Sequence, residues 1–89
     1  MRWQISAALA WRELDDQIVV RNDLTGGTHL LESLAADLLH TLGEARTPLS
    51  ASELTARLAD EGEAPGELSR SIEATLLELQ RLGLAESSD

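Results

Sequence analysis

At 89 residues and 43% hydrophobic content, the chain is long enough for one domain and too short for two. It contains no cysteine, which excludes disulfides and thiolate chemistry, and no apolar run near the ~18 residues of a membrane span. Seven arginines, no lysine and sixteen acids leave a net charge of −9, a poor match to phosphate polyanions.

The first sixteen residues carry one short apolar stretch broken by Gln4, Ser6 and Arg12, a weak secretory signal, so a cytoplasmic protein is expected. Residues 3–5 read as a possible extended piece. Leu9 to Leu14 and the β-branched run Ile18-Val19-Val20 read as two strands joined at Asp15-Asp16. Thr25-Gly26-Gly27 is the next turn, and Thr28-His29-Leu30-Leu31 the third strand, so the strands fall at about residues 9–31. Beyond residue 32 the apolar period becomes helical. Leu34, Leu38, Leu39 and Leu42 form a stripe over about 33–43, with Gly43 as its expected stop and Glu32 or Ser33 as its cap. Ser50 to Glu53 spells a capping box, with Leu49 and Leu54 spaced as a hydrophobic staple, and opens a second helix over about 50–61 that ends at Gly62. Pro65 opens the third, about 65–82, on the stripe Leu68, Ile72, Leu76 and Leu79. Leu82-Gly83-Leu84 ends it, and Glu86 to Asp89 is expected to fray. The result is a single α+β domain over 1–89, a winged-helix-like layout of a three-stranded antiparallel sheet followed by three helices.

That layout invites a DNA-binding reading, and charge opposes it. Residues 32–89 carry four arginines against twelve acids, and Trp3 and Trp11 are the only aromatics, too few for a base-stacking platform. A winged-helix regulator stays as the alternative function. Catalysis finds no support. His29 and His40 read as surface residues rather than metal ligands, Asp15-Asp16 as turn acids, and Gly26-Gly27 as turn glycines without the lysine of a phosphate loop. Glu32-Ser33-Leu34 loosely resembles the Asp-Ser-Leu of acyl carrier proteins, but strand and turn signals stand where their long first helix would be. No enzyme activity, metal or cofactor is expected.

The feature with functional content is the sheet edge. A third strand at residues 28–31 would leave backbone N–H and C=O groups unpaired, able to accept an extended peptide as an added strand. The third helix would wall that groove. Most of its leucines belong to the core, with Thr75 or Leu77 placed to flank the opening.

The stretches Asp15 to Asn22, Thr25-Gly26-Gly27, Thr28 to Ala36, Leu49 to Leu54 and Leu79 to Leu84 resemble the PqqD family, and more narrowly its HPr-rel-A (HPr-kinase-related) branch. The resemblance implies a peptide chaperone, a recognition element for ribosomally made precursor peptides such as that of pyrroloquinoline quinone. Such a domain holds a leader peptide and presents it to a modifying enzyme, a radical-SAM protein or an HPr-kinase-related one. Carried over by position, the peptide site is Thr28, His29, Leu30 and Leu31 on the strand with Ile72, Thr75, Leu76 and Leu79 on the helix. Many relatives have Asn-Pro where this chain has Glu32-Ser33. Neither the peptide's identity nor the choice between monomer and dimer follows from the sequence.

Overall fold

The computed structural model describes residues 1–45, 47–59 and 65–88. Residues 60–62, the expected end of the second helix, and Asp89 of the expected frayed tail lie outside them; among the described residues that helix already ends at Leu58, with Ala59 extended. In chain order the elements are β1 (Arg2–Ile5), β2 (Leu9–Leu14), β3 (Gln17–Asn22), β4 (Thr28–Glu32), α1 (Ser33–Glu44), α2 (Ala51–Leu58), α3 (Pro65–Arg81) and β5 (Ala85–Ser88). Strands β2, β3 and β4 form an antiparallel meander, and β1 pairs with β5 in a separate two-stranded ribbon. No helix among the described residues is long and apolar enough to cross a membrane.

The β2–β3 turn is the two residues Asp15 and Asp16, with Asp15 left-handed at φ 54°. Aspartate is one of the few residues that tolerates that region, so the pair suits the turn it forms. Register puts Leu9, Trp11, Ile18, Val20, Asn22, His29 and Leu31 on one face, toward the helices. Ile18, Val20 and Leu31 are buried there with Leu38, Leu39, Leu42, Leu54, Ile72, Leu76 and Leu79. Each fully buried leucine contributes roughly 1.5–3 kcal/mol, so the leucine stripes of the three helices dominate cohesion.

The capping box forms as expected. Glu53 N–H donates to Ser50 Oγ at 3.1 Å, and Ser50 N–H donates to Glu53 Oε1 at 3.1 Å. Leu49 and Leu54 are both buried, as a staple requires. Helix α3 ends in a Schellman turn. Leu84 N–H bonds the Leu79 carbonyl at 2.8 Å and Gly83 N–H the Gln80 carbonyl at 3.0 Å, with Gly83 at φ 80°.

Three expectations change. The C-terminal residues do not fray: the Schellman turn reverses the chain and lays β5 along β1, with Ala85 buried opposite Ile5. Ala-Glu-Ser-Ser has no intrinsic strand preference, so this pairing is imposed by tertiary context. Gly43 does not stop α1, which continues to Glu44. A Cβ at Gly43 would lie 2.5 Å and 2.8 Å from Trp11 ring carbons, so the glycine makes room for that indole on the helix surface. Finally, neither Glu32 nor Ser33 caps α1 through a side chain. Glu32 occupies the cap position without a side-chain capping bond, and Ser33 turns the chain directly from strand to helix at φ 54°.

Candidate functional site

Among the described residues, strand β4 has one neighbour, β3. Which of its backbone groups face outward follows from the ladder. In an antiparallel pair, residues alternate between those that exchange N–H···O bonds with the strand opposite and those that turn them away. Asp23 N–H bonds the Ala8 carbonyl at 2.8 Å, in register with β2, whereas Asn22 N–H bonds the Gly27 carbonyl at 3.0 Å, in register with β4. Even-numbered residues of β3 therefore bond toward β4, and in β4 it is His29 and Leu31 that answer them. Thr28 and Leu30 turn both backbone groups to the open side, together with the Glu32 N–H. The C-terminal strand does not cover this edge, because β5 is engaged with β1.

Side chains divide the same way. Thr28 and Leu30 lie on the outer face, and Leu30 is 58% exposed. His29 is half-buried and Leu31 buried on the inner face. On α3 the carried-over positions behave unequally. Ile72, Leu76 and Leu79 are sealed in the core, between 0% and 1% exposed, and present no surface to a ligand. The 3.6-residue period turns their stripe inward and leaves Thr75, half-buried, as the member of that set at the surface. The Thr75 hydroxyl donates to the Ser71 carbonyl at 2.7 Å. Leu77 sits on the other flank of α3, where with Met1, Trp3 and Glu73 it lines a concavity of about 410 Å³.

The residue that sequence reasoning missed is Asn22. It is 5% exposed. Its Oδ1 accepts from the N–H groups of Leu24 at 2.9 Å and Thr25 at 3.2 Å, and its Nδ2 donates to the Gly83 carbonyl at 2.6 Å. One side chain thus shapes the β3–β4 turn and ties it to the end of α3. Asn22 preceding a Thr-Gly-Gly turn is the signal that could have singled it out. A concavity of about 520 Å³ lies beside it and is lined largely by small residues, among them Ser6, Ala7 and Ala85.

His40 is the exposed helix residue that the sequence suggests, and it is not without partners. Its Nδ1 hydrogen-bonds the Glu13 carboxylate of β2, and its Nε2 lies 3.1 Å from Glu44 Oε1, one turn along α1. The i,i+4 spacing of His40 and Glu44 stands in the sequence, although sequence reading gives these histidines no carboxylate partner, and the contact with Glu13 joins residues 27 apart. The Glu13 hydrogen bond raises the His40 pKa above its ordinary 6.5, with burial opposing and the charges of Glu44 and Glu13 assisting. Because the folded value is the higher one, the stabilisation is complete below pH 6.5 and is lost as pH rises through the raised value. Solvent exposure of all three groups holds the effect below about 1 kcal/mol. Thermal melts at pH 5.5 and pH 8.5 should show wild type losing its advantage over His40→Gln at the higher pH. Among the described residues no group of three or more His, Cys, Asp or Glu side chains is placed to hold a metal ion.

No protein-family model matches the sequence. No curated protein matches it either. Two solved structures do. TbiB1 in complex with the TbiA(beta) leader peptide is 22% identical, with a TM-score of 0.81 over 97% of this chain and 98% of that one. Lasso peptide synthetase B1 complexed with the leader peptide is 19% identical, with a TM-score of 0.76 over 98% of this chain and 100% of that one. The chain shares its fold with both.

Proposed function

We propose that this chain is a non-catalytic peptide-binding module of the PqqD type, which holds the leader of a ribosomally made precursor as an added strand on β4 and presents it to a modifying enzyme. The observation that carries the reading is the edge of β4, which has no partner among the described residues and where Thr28 and Leu30 turn both backbone groups outward and the Leu30 side chain is exposed. Two structures of the same fold were solved with leader peptides, which supports the choice of ligand. The proposed contacts are Thr28, His29, Leu30 and Leu31 with Thr75 on α3, while Ile72, Leu76 and Leu79 support that wall from within. The proposed clients are those of the sequence resemblance, a radical-SAM or an HPr-kinase-related enzyme. Charge, not fold, opposes the DNA-binding alternative: Glu67, Glu73 and Glu78 are exposed on α3 beside Arg70, and Arg81 is bound to Glu78.

Amide exchange tests the reading. Peptides of about ten residues, selected from an mRNA-displayed random library on the immobilised domain, are titrated into labelled protein. The free domain should protect the His29 and Leu31 amides, and bound peptide should add protection at Thr28, Leu30 and Glu32. Selected peptides that protect another surface instead, or a library that yields no binder, would refute strand addition on β4.

A further inference from the structure

We infer that the β4 edge selects its guest on the solvent face of the sheet as well as against the helix, and that it takes an extended segment with an apolar residue and a basic residue two positions apart. The inference rests on the strand-addition reading and adds the chemistry of the peptide.

Residues paired across two strands project on the same face, so a guest residue opposite Leu30 stands beside the Leu30 side chain. That side chain shows 58% of its surface to solvent, and its neighbour across the sheet on the outer face is Val19. An added strand with an apolar residue at this position would cover Leu30 and extend the Val19–Leu30 row by one. Two residues along β4 on the same face is Glu32, exposed, with its carboxylate accepting from Gln17 Nε2 at 3.1 Å in the adjacent cross-strand pair. Gln17 holds the carboxylate over the sheet face. The guest residue opposite Glu32 is therefore two positions from the one opposite Leu30, and a basic side chain complements it. The wider field agrees, because residues 32–89 carry twelve acids against four arginines. Thr28, at the other end of the row, asks for nothing charged. The pattern is thus directional along β4: tolerant, apolar, basic.

The same displayed library, selected in parallel on wild type, Leu30→Ser, Glu32→Gln and Glu32→Arg, reads this out. Thermal melts check that each variant is folded, and Glu32→Gln covers the case in which a cation at the start of α1 disturbs the helix. Wild type should enrich apolar-x-basic or its reverse, according to the direction of the guest. Leu30→Ser should lose the apolar preference, Glu32→Gln the basic one, and Glu32→Arg should favour an acid there. Each mismatch should cost about two- to fivefold in Kd. Peptides that protect the Thr28 and Leu30 amides yet show the same outer-face residues on all four proteins would overturn the inference and leave strand addition standing. Peptides that protect no β4 amide would overturn both.

Discussion

Replacing Leu30 with proline is expected to reduce peptide capture about 10- to 100-fold while leaving the domain folded, whereas the same replacement one residue later, Leu31→Pro, should unfold it. The difference comes from the alternation of the ladder. The Leu30 N–H points to the open edge and bonds no other strand. Proline is tolerated on an edge strand when the lost N–H faces solvent, and the extended backbone at residue 29 suits the residue before it. A guest strand, however, would meet a ring where it needs a donor, and its own carbonyl would be left unsatisfied at about 1–3 kcal/mol. The Leu31 N–H, in contrast, belongs to the pair with Ile18, and its side chain is buried at 6% exposure. Losing that bond and truncating the side chain should together cost more than about 3 kcal/mol, a large share of the stability of a domain this small. Circular dichroism and binding of a library-selected peptide separate the two outcomes. Full binding by a folded Leu30→Pro protein would show that the guest does not use this edge.

Asn22→Ala should cost about 2–4 kcal/mol, which for a domain of this size lowers Tm by roughly 10–25 °C. The substitution removes three hydrogen bonds at once, and it strands a Gly83 carbonyl that the amide reaches at 2.6 Å. Asn22→Asp separates the two parts of that loss. The carboxylate still accepts from Leu24 and Thr25, so the turn survives, but it brings an acceptor against the Gly83 carbonyl and the link to α3 is broken. Thermal melts should rank wild type above both variants. Peptide affinity measured well below the melting temperature should fall for Asn22→Asp, because the turn that leads into β4 loses its tie to the end of α3. An Asn22→Ala protein with unchanged Tm would mean that the turn and the helix end hold without it.

Much of the architecture can be read from residue order. The switch from β-branched clusters to leucines at helical spacing near residue 32 separates sheet from helices. The capping box at Ser50 and the Leu82-Gly83-Leu84 terminator mark boundaries by local stereochemistry. These are effects within a few residues, and neighbours in sequence suffice to determine them. The outward set of β4 came less directly. Alternation along a strand was expected, but its phase depends on which residues of β3 bond to β2, and that emerged from the Asp23–Ala8 and Asn22–Gly27 bonds.

The features that escaped sequence reading all join residues far apart in the chain. Strand β5 forms because β1 is there to receive it, although its own residues favour no strand. Gly43 reads as a helix terminator until the indole of Trp11 is seen lying against it. Ile72, Leu76 and Leu79 match a peptide-contact pattern by position although their stripe also reads as core, and it is the packing that places all three beneath the surface. Local backbone preference and hydrophobic period are properties of a segment, and these settle which elements exist. Whether an edge is left open, a glycine is crowded or a leucine is reachable depends on what another segment brings to it, and that is written in the packing of the folded chain.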